Sequence, residues 1–165
     1  MKYRVISTAF ICLLISACAS KWSNTDLISE FERLNFETRQ DERGVVVLVP
    51  DVFFEFGKFD LNDDAREKLV LIANVINNTK TDERQILVEG HTDSIGSDEY
   101  NMNLSRERAE AVTSELMFGN VRPDRIVTEW VGESKPIALN ENEDGSDNPE
   151  GRELNRRVEI VVLNP

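Results

Sequence analysis

The chain has 165 residues, of which 40% are hydrophobic and 30% charged, and its formal net charge is −12. This length suggests one domain with short extensions, and the composition supports a globular core and excludes wholesale disorder. A chain this acidic repels the backbone of nucleic acids and opposes adsorption to anionic lipid headgroups. The charge therefore indicates a well-solvated surface and not a polyanion-binding protein.

Residues 1–17 predict a secretory signal peptide. Lys2 and Arg4 form a short basic start, residues 5–15 are almost wholly apolar, and Ser16-Ala17 supplies the small residues of a cleavage site. The apolar stretch is too short to span a membrane comfortably. We therefore expect the chain to be exported and this segment to be removed.

Cys18 follows the predicted signal and is the candidate lipidation site. The sequence Leu-Ile-Ser-Ala-Cys at 14–18 resembles a bacterial lipobox, in which the cysteine becomes the first mature residue and carries acyl chains such as palmitate. Cys12 would be lost with the signal, which leaves one cysteine and excludes a disulfide. Two or more acyl chains anchor a protein stably, because each buried CH₂ contributes ~0.8 kcal/mol. An ordinary secretory signal with a coincidental cysteine is the alternative.

Residues 18–33 are predicted to be the lipidated cysteine, a tether and a short amphipathic segment. Ala19 follows the cysteine in place of an aspartate, and by resemblance to enterobacterial lipoproteins this predicts sorting to the outer membrane, facing the periplasm. Leu27, Phe31 and Leu34 recur at helical spacing, whereas alternation with polar residues from Leu34 onwards also fits a strand. A helix here would dock a partner, oligomerise or pack on its own domain.

Residues 34–165 predict one domain that alternates strands and helices. Asn62 is a good helix N-cap, and Ser105 is a plausible cap for a second helix that Gly119 could end. Apolar residues alternate around Glu159, as expected of a strand. The predicted elements are a hairpin with its turn at 41–44 and a strand at 45–49, a helix at 63–77, a strand at 85–90, a helix at 105–117, a strand at 126–131, a polar loop at 134–151 and a strand at 156–163.

Three spaced motifs in the second half of the chain carry a family resemblance. They are Gly90-His91-Thr92-Asp93 with Gly96, then Tyr100-Asn101-x-x-Leu104-Ser105-x-x-Arg108-Ala109, then Gly151-Arg152-x-x-Asn155-Arg156-Arg157-Val158-Glu159. With Phe53-Phe54-Glu55-Phe56-Gly57 upstream, they resemble the OmpA-like, or OmpA C-terminal, peptidoglycan-binding domain over about 45–163. Several motifs in the right order are far more specific than one short motif. With the lipobox added, the chain resembles the peptidoglycan-associated lipoproteins.

The resemblance implies both a fold and a function. The fold is an α/β (α+β) two-layer sandwich, with a mixed sheet and two main helices on one face. The function is noncovalent binding of the peptide stem of peptidoglycan at diaminopimelate, which tethers the outer membrane to the cell wall. The alternative is a protein-interaction component of an envelope complex, either Tol-Pal-like or part of a secretion or motility assembly.

Asp93 and Arg108 are the first candidates for the binding site. Diaminopimelate carries an ammonium and a carboxylate at its free end, so Asp93 can accept from the ammonium and Arg108 can bind the carboxylate in bidentate fashion. If Ser105 is the N-cap, Arg108 is the third helical residue, where a cation opposes the helix dipole and hints at a function. Alternatively, Asp93 braces the turn that follows it, and Arg108 pairs on the surface with a neighbouring acid, Asp98 or Glu99.

Four further residues complete the predicted site. Asn101 either braces the turn or contacts the ligand, and Leu104 either packs in the core or forms a wall of the groove. By the resemblance, Arg156 corresponds to a binding arginine in the Asn-Arg-Arg motif, and its alternative is a plain ion pair on a strand. Thr92 is the weakest candidate. Two departures from the family are Gly57, where Asp or Asn is frequent, and a longer, more acidic loop at 140–151.

The residue inventory argues against an enzyme. His91 is the only histidine, no nucleophile motif accompanies it, and no metal-ligand spacing appears. The 31 acidic residues make accidental carboxylate pairs common, so such pairs do not indicate a glycosidase. We expect no catalysis, no metal and no cofactor.

Overall fold

The computed structural model describes residues 21–55, 58–78, 80–81 and 83–165. The predicted signal peptide, the predicted lipid site Cys18 and the motif residues Phe56 and Gly57 therefore lie outside the described residues. Among the residues that are described, no helix has the length and apolar character needed to cross a membrane.

Five strands form one mixed sheet in the order β1-β2-β5-β3-β4, in which β3 and β4 are parallel and the other neighbours antiparallel. This arrangement confirms the predicted α/β sandwich. In chain order the elements are α1 (Asn24–Arg33), β1 (Thr38–Gln40), β2 (Gly44–Pro50), α2 (Asp63–Ile76), β3 (Ile86–His91), α3 (Asp98–Phe118), β4 (Ile126–Trp130), α4 (Pro149–Asn155) and β5 (Arg157–Leu163), with 3-10 turns at Asp51–Phe53 and Pro123–Arg125.

The two faces of the sheet carry different side chains, and β5 shows the division. Val158, Ile160 and Val162 belong to the main hydrophobic core, which includes residues of α1, α2 and α3. Val161 belongs to a second, smaller apolar cluster on the opposite face, and Glu159 shares that face because successive strand residues point to opposite sides. The helices therefore cover one face, and the other is left to a mixture of apolar and charged groups.

The segment in which Leu27 and Phe31 recur at helical spacing forms the helix α1. Ser23 caps it through a reciprocal pair of contacts: the Ser23 hydroxyl accepts from the Asp26 N–H at 3.2 Å, and the Asp26 carboxylate accepts from the Ser23 N–H at 2.9 Å. Leu27 and Phe31 are fully buried in the main core. The amphipathic segment is therefore a helix that packs on its own domain.

The start of α3 is where the sequence interpretation is wrong. Ser97 is the N-cap, and its hydroxyl accepts from the Tyr100 N–H at 3.2 Å. Ser105 is buried within the 21-residue helix, donates to the Met102 carbonyl at 2.9 Å and accepts from the Gly132 N–H at 3.1 Å. The hydroxyl of a serine inside a helix can donate a hydrogen bond to a backbone carbonyl of the preceding turn, so a serine does not by itself mark the start of a helix. Arg108 consequently lies near the middle of α3, so the argument that it opposes the helix dipole does not apply.

The last part of the predicted polar loop is helical. Asn148 caps α4 by accepting from the Gly151 N–H at 3.0 Å, and Pro149 occupies the first turn, where a missing N–H costs nothing. The helix has only seven residues, too few to give a clear helical pattern. This helix carries Arg152, and Arg156, one of the predicted site residues, caps its C-terminal end.

Gly90 lets α3 lie close against β3. A side chain at this position would place its Cβ 2.0 Å from the Ser105 carbonyl oxygen, so only glycine permits the approach. The contact holds the helix that carries Asn101 and Arg108 beside the strand end that leads to Asp93. The glycine of the first motif is therefore required by the packing that assembles the site.

Candidate ligand-binding site

A cavity of about 520 Å³ opens beside the end of β3 and is bordered by α3 and α4. All six residues predicted for the binding site line this cavity, so the structure brings the whole predicted set together. The lining consists of Asp51, Thr92, Asp93, Ile95, Tyr100, Asn101, Leu104, Arg108, Pro149, Glu150, Arg152, Glu153 and Arg156.

Asp93 is 6% exposed and uses its two carboxylate oxygens differently. Oδ1 accepts from the Ile95 N–H at 3.1 Å, which braces the turn after β3 as the alternative interpretation expected. Oδ2 accepts from Arg156 Nη1 at 2.9 Å and, more weakly, from Arg152 Nη1 at 3.4 Å. The same side chain therefore stabilises the turn and presents a charged oxygen to the cations of the cavity.

Arg108 is 2% exposed, and its guanidinium is held from three sides. Nη2 lies 2.6 Å from Oδ1 of Asp51, Nε donates to the Lys58 carbonyl at 3.2 Å, and the group stacks 4.8 Å from the centre of the Phe54 ring. Its ion pair is thus with Asp51 and not with a surface acid of its own helix. Nη1 has no hydrogen-bond partner among the described residues. In this arrangement a bidentate contact with a ligand would require the Asp51 or the Lys58 contact to be given up.

Arg156 joins two carboxylates of the cavity. Its Nε donates to Oδ2 of Asp51 at 2.9 Å, while its Nη1 donates to Oδ2 of Asp93 at 2.9 Å. Burial opposes the charge on Arg156, but the hydrogen bonds to Asp93 and Asp51 raise its pKa above the ordinary value. The result is an alternating chain of charges, in the order Arg108, Asp51, Arg156, Asp93.

Asn101, Thr92 and Leu104 form the floor and wall beside this chain of charges. Asn101 is buried, and its amide donates to the Asp93 carbonyl at 3.2 Å and to the Glu133 carboxylate at 2.5 Å, which are bracing contacts. Thr92 is 3% exposed, and its hydroxyl has no hydrogen-bond partner among the described residues. Leu104 is half-buried and contributes apolar surface. A buried hydroxyl without a partner costs free energy, so it marks a point where a ligand atom would be favourable.

Asp51 and Arg152 are two of the four charged lining residues that the sequence interpretation missed, and the other two are Glu150 and Glu153. Arg152 belongs to a motif that had already been singled out, and it makes two contacts of 2.7 Å with the Asp147 carboxylate besides the one with Asp93. The hydrogen bond with Asp147 is the main reason that the pKa of Arg152 is raised. For Asp51 the only available signal was its place directly after a β-branched strand, where site residues are frequent.

A second charged cluster lies on the sheet face opposite the helices. Glu89, His91 and Glu159 place one potential ligand atom each within 4.8 Å of one another, an arrangement that could hold a metal ion. All four carboxylate oxygens of this group, however, already contact cationic or imidazole nitrogens. The contacts are Glu89 Oε1 with Arg43 at 3.2 Å and His91 at 3.1 Å, Glu89 Oε2 with Lys135 at 2.7 Å, Glu159 Oε1 with Arg39 at 2.5 Å and Arg157 at 2.8 Å, and Glu159 Oε2 with Arg43 at 2.6 Å.

The electrostatics of this second cluster indicate a structural role. The contact with His91 is the main reason that the pKa of Glu89 falls to about 2, against the opposing effect of burial. Burial lowers the pKa of His91, so the imidazole is neutral at pH 7. Four cationic side chains around two carboxylates leave no excess negative charge to attract a metal ion. The cavity, and not this cluster, is therefore the candidate ligand-binding site.

Comparison with known proteins assigns the family. Residues 53–149 match the model of the OmpA family. Outer-membrane lipoprotein YfiB of Pseudomonas aeruginosa is 32% identical over 96% of this chain and 93% of that protein. Outer membrane protein A of Bordetella avium is 40% identical over 72% of this chain and 57% of its own length.

A solved structure extends the likeness to the fold. The cell wall anchor of the T6SS from Pseudomonas aeruginosa superposes with a TM-score of 0.65 at 26% identity, over 84% of this chain and 94% of that one. Several curated relatives are much longer than this chain, which spans 14%, 57% and 34% of three of them. The match to more than half of the residues, together with a relative aligned over nearly its whole length, shows that the chain belongs to the OmpA family, as the three motifs predicted.

Proposed function

We propose that this protein is an outer-membrane lipoprotein that binds the peptide stem of peptidoglycan noncovalently, at diaminopimelate, and tethers the membrane to the cell wall. The observation that carries the proposal is the cavity in which Arg108 Nη1 and the Thr92 hydroxyl are buried without hydrogen-bond partners among the described residues, beside the carboxylate of Asp93. A zwitterionic amino-acid end needs a cationic donor and a carboxylate a few ångströms apart, and the alternating charges of the cavity supply both.

The ligand's two charged groups have distinct partners in this proposal. The ligand carboxylate contacts Arg108, whose unpartnered nitrogen is one of the few free buried donors in the described residues. The ligand ammonium contacts Asp93, where it replaces a contact now made by Arg152 or Arg156. Exchange of one ion pair for another leaves no buried charge uncompensated, which is the condition for favourable binding at a desolvated site.

The cavity favours binding over catalysis. The single histidine, His91, lies with the second charged cluster and does not line the cavity, so no imidazole is available there as a general base. The described cavity lining also contains no cysteine and no serine, and its hydroxyl groups belong to Thr92 and Tyr100. These features support a binding module.

In this proposal the lipid attaches the protein to the membrane and the cavity attaches it to the cell wall, so a weak contact at each cavity can be sufficient to hold the two together. In the proposal Cys18 carries the acyl chains, and many copies in one membrane contact one polymer, so avidity multiplies modest individual affinities. The relative named outer-membrane lipoprotein and the structure named a cell wall anchor support this arrangement. Replacement of Cys18 by serine is expected to move the protein from the membrane to the soluble fraction. A Cys18→Ser protein that stays in the membrane would contradict the lipid anchor.

A pull-down on isolated sacculi tests the cell-wall function directly. The soluble chain from Ala19 onwards should sediment with sacculi, and Asp93→Ala should abolish this while the circular dichroism spectrum is retained. Asp124→Ala is a matched control, because its carboxylate is 73% exposed and does not line the cavity. Failure of the unmodified protein to bind would move the function to the alternative, a component of a Tol-like, secretion or motility complex.

A further inference from the structure

Among the described residues, Asp51 is the one carboxylate that contacts both Arg108 and Arg156, two arginines of the predicted site. It begins the 3-10 turn that follows β2, and its side chain is 26% exposed at the cavity wall. Oδ1 forms an ion pair with Nη2 of Arg108 at 2.6 Å that lacks hydrogen-bond geometry, and Oδ2 accepts from Nε of Arg156 at 2.9 Å. Each oxygen therefore restrains a different guanidinium, and the pair of arginines shares a single anion.

The geometry distinguishes a positioning role from a competing one. A competing carboxylate would occupy the part of Arg108 that the ligand needs, but Asp51 contacts Nη2, and Nη1 has no hydrogen-bond partner in the part of the chain that the structure describes. With Nε fixed on the Lys58 carbonyl and the plane stacked on Phe54, the Asp51 contact completes the orientation of the group. Nη1 is thus the nitrogen that remains for another acceptor.

The contact with Arg156 has a second effect. Because Arg156 is held by Asp51 through Nε, its Nη1 reaches Asp93, and Asp93 in turn receives Arg152 only at 3.4 Å. Loss of the Asp51 charge would leave Arg108 and Arg156 as neighbouring cations with Asp93 as their nearest remaining carboxylate in this chain of charges. Both would then be drawn toward Asp93, away from the ligand carboxylate.

We infer that Asp51 is a positioning residue for recognition of the ligand carboxylate, which it achieves by fixing Arg108 with Nη1 available and by holding Arg156 apart. This inference rests on the proposed function, since it concerns the same cavity. It assigns to Asp51 no direct contact with the ligand. Its effect should therefore depend on whether the ligand presents a carboxylate.

The test compares two synthetic stem tripeptides that differ at one group. One ends its diaminopimelate side chain in a free carboxylate, and the other carries the amide at that carbon, while both keep the ammonium. Binding of each is measured by isothermal titration calorimetry with the soluble chain from Ala19, with Asp51→Asn and with the control Asp60→Asn. Asp60 is exposed, lies near Asp51 in the chain and does not line the cavity.

Asp51→Asn should lower affinity for the free acid about tenfold or more, because Arg108 is then no longer oriented for its charged hydrogen bond with the ligand carboxylate. The affinity of Asp51→Asn for the amide peptide should change little, so the ratio of the two affinities, acid over amide, should fall. The control Asp60→Asn should keep the ratio of the unmodified protein. An unchanged preference in Asp51→Asn, or tighter binding of the acid, would overturn the inference. If the Asp51→Asn protein fails to fold, Asp51→Ser is measured in its place. Failure of the unmodified protein to bind either peptide would instead count against the proposed function.

Discussion

Two groups of charged residues in this protein have similar composition but differ in how their carboxylates are paired. The cavity cluster consists of Asp51, Asp93, Arg108 and Arg156, and the sheet-face cluster consists of Glu89, His91, Glu159, Arg39, Arg43, Lys135 and Arg157. Both combine buried carboxylates with guanidinium groups. In the sheet-face cluster every carboxylate oxygen contacts a cationic nitrogen, and the buried nitrogens left without a hydrogen bond among the described residues are Arg39 Nε and the two of His91. In the cavity cluster a carboxylate oxygen, Asp51 Oδ1, is without a hydrogen bond within the described part of the chain, as are Arg108 Nη1 and the neighbouring Thr92 hydroxyl.

The comparison shows that the number of charges does not identify a binding site. A cluster whose carboxylate oxygens all contact cations gains nothing from a further cation, because any new contact must break an existing one. A cavity in which a carboxylate oxygen and a donor are both without hydrogen bonds pays a desolvation cost that a zwitterionic ligand can relieve. The two clusters are linked along β3, since His91 belongs to one and Asp93 follows two residues later in the other. Variants in each cluster should therefore separate stability from binding.

Removal of a sheet-face carboxylate should have the largest effect. Glu159 contacts Arg39, Arg43 and Arg157, and loss of one partner from a buried ion pair typically costs about 3–5 kcal/mol. Glu159→Ala is expected to lower the free energy of unfolding by this amount in urea titrations. An exposed variant, Glu153→Ala, should change it by less than about 0.5 kcal/mol. Stability equal to that of the parent in Glu159→Ala would show that the cluster is not structural.

The acid dependence of stability should come from the same cluster. The pKa of Glu89 is lowered from its ordinary 4.5 to about 2, so its contribution is fully present above the ordinary value and is lost as pH falls toward 2. A shift of this size corresponds to stability on the order of 3 kcal/mol. Urea unfolding of the parent and of Glu89→Gln at pH 6, 4 and 3 should show a difference that shrinks with acidity. A difference independent of pH would contradict the assignment.

Removal of the cavity arginine should change binding more than folding. Arg108→Ala is expected to weaken binding to sacculi by about 1.5–3 kcal/mol, or roughly 10- to 150-fold, because a charged hydrogen bond is lost. Arg106→Ala is the matched control, since Arg106 is exposed on the same helix. Unchanged sacculus binding by a folded Arg108→Ala protein would remove Arg108 from the site and weaken the contrast between the clusters.

The acidic loop should have the smallest effect on stability. Asp147 is 57% exposed and pairs with Arg152, and exposed ion pairs contribute about 0–1 kcal/mol. Asp147→Asn should therefore leave the unfolding midpoint nearly unchanged, while Arg152 is freed to approach Asp93. If sacculus binding also stays within twofold, the loop is only a solvated connection; a larger change would assign it a part in gating the cavity.

Local signals in the sequence account for much of this molecule. The cap at Asn62, the apolar stripe that follows it and the alternation around Glu159 correctly predicted α2 and β5, because caps and periodicity depend on neighbours within one or two turns. The family motifs placed all six predicted residues at one cavity. Ser105 misled the interpretation for the same reason, since a helical serine and a capping serine look alike without the backbone.

Only the tertiary structure decided how the charges are paired. Asp51 meets Arg108 and Arg156 because the sheet order sets β2 beside β5 and β5 beside β3, so that distant segments of the chain converge on one cavity. The same order places two acids that are close in the sequence in different environments. Both carboxylate oxygens of Glu89 contact cations on the sheet face, whereas Asp93 lines the cavity. Sequence by itself determined the family, the main elements and six of the residues that line the cavity, but it missed Asp51 and Arg152. Which donors are left free is a property of long-range contacts, and no local pattern encodes it.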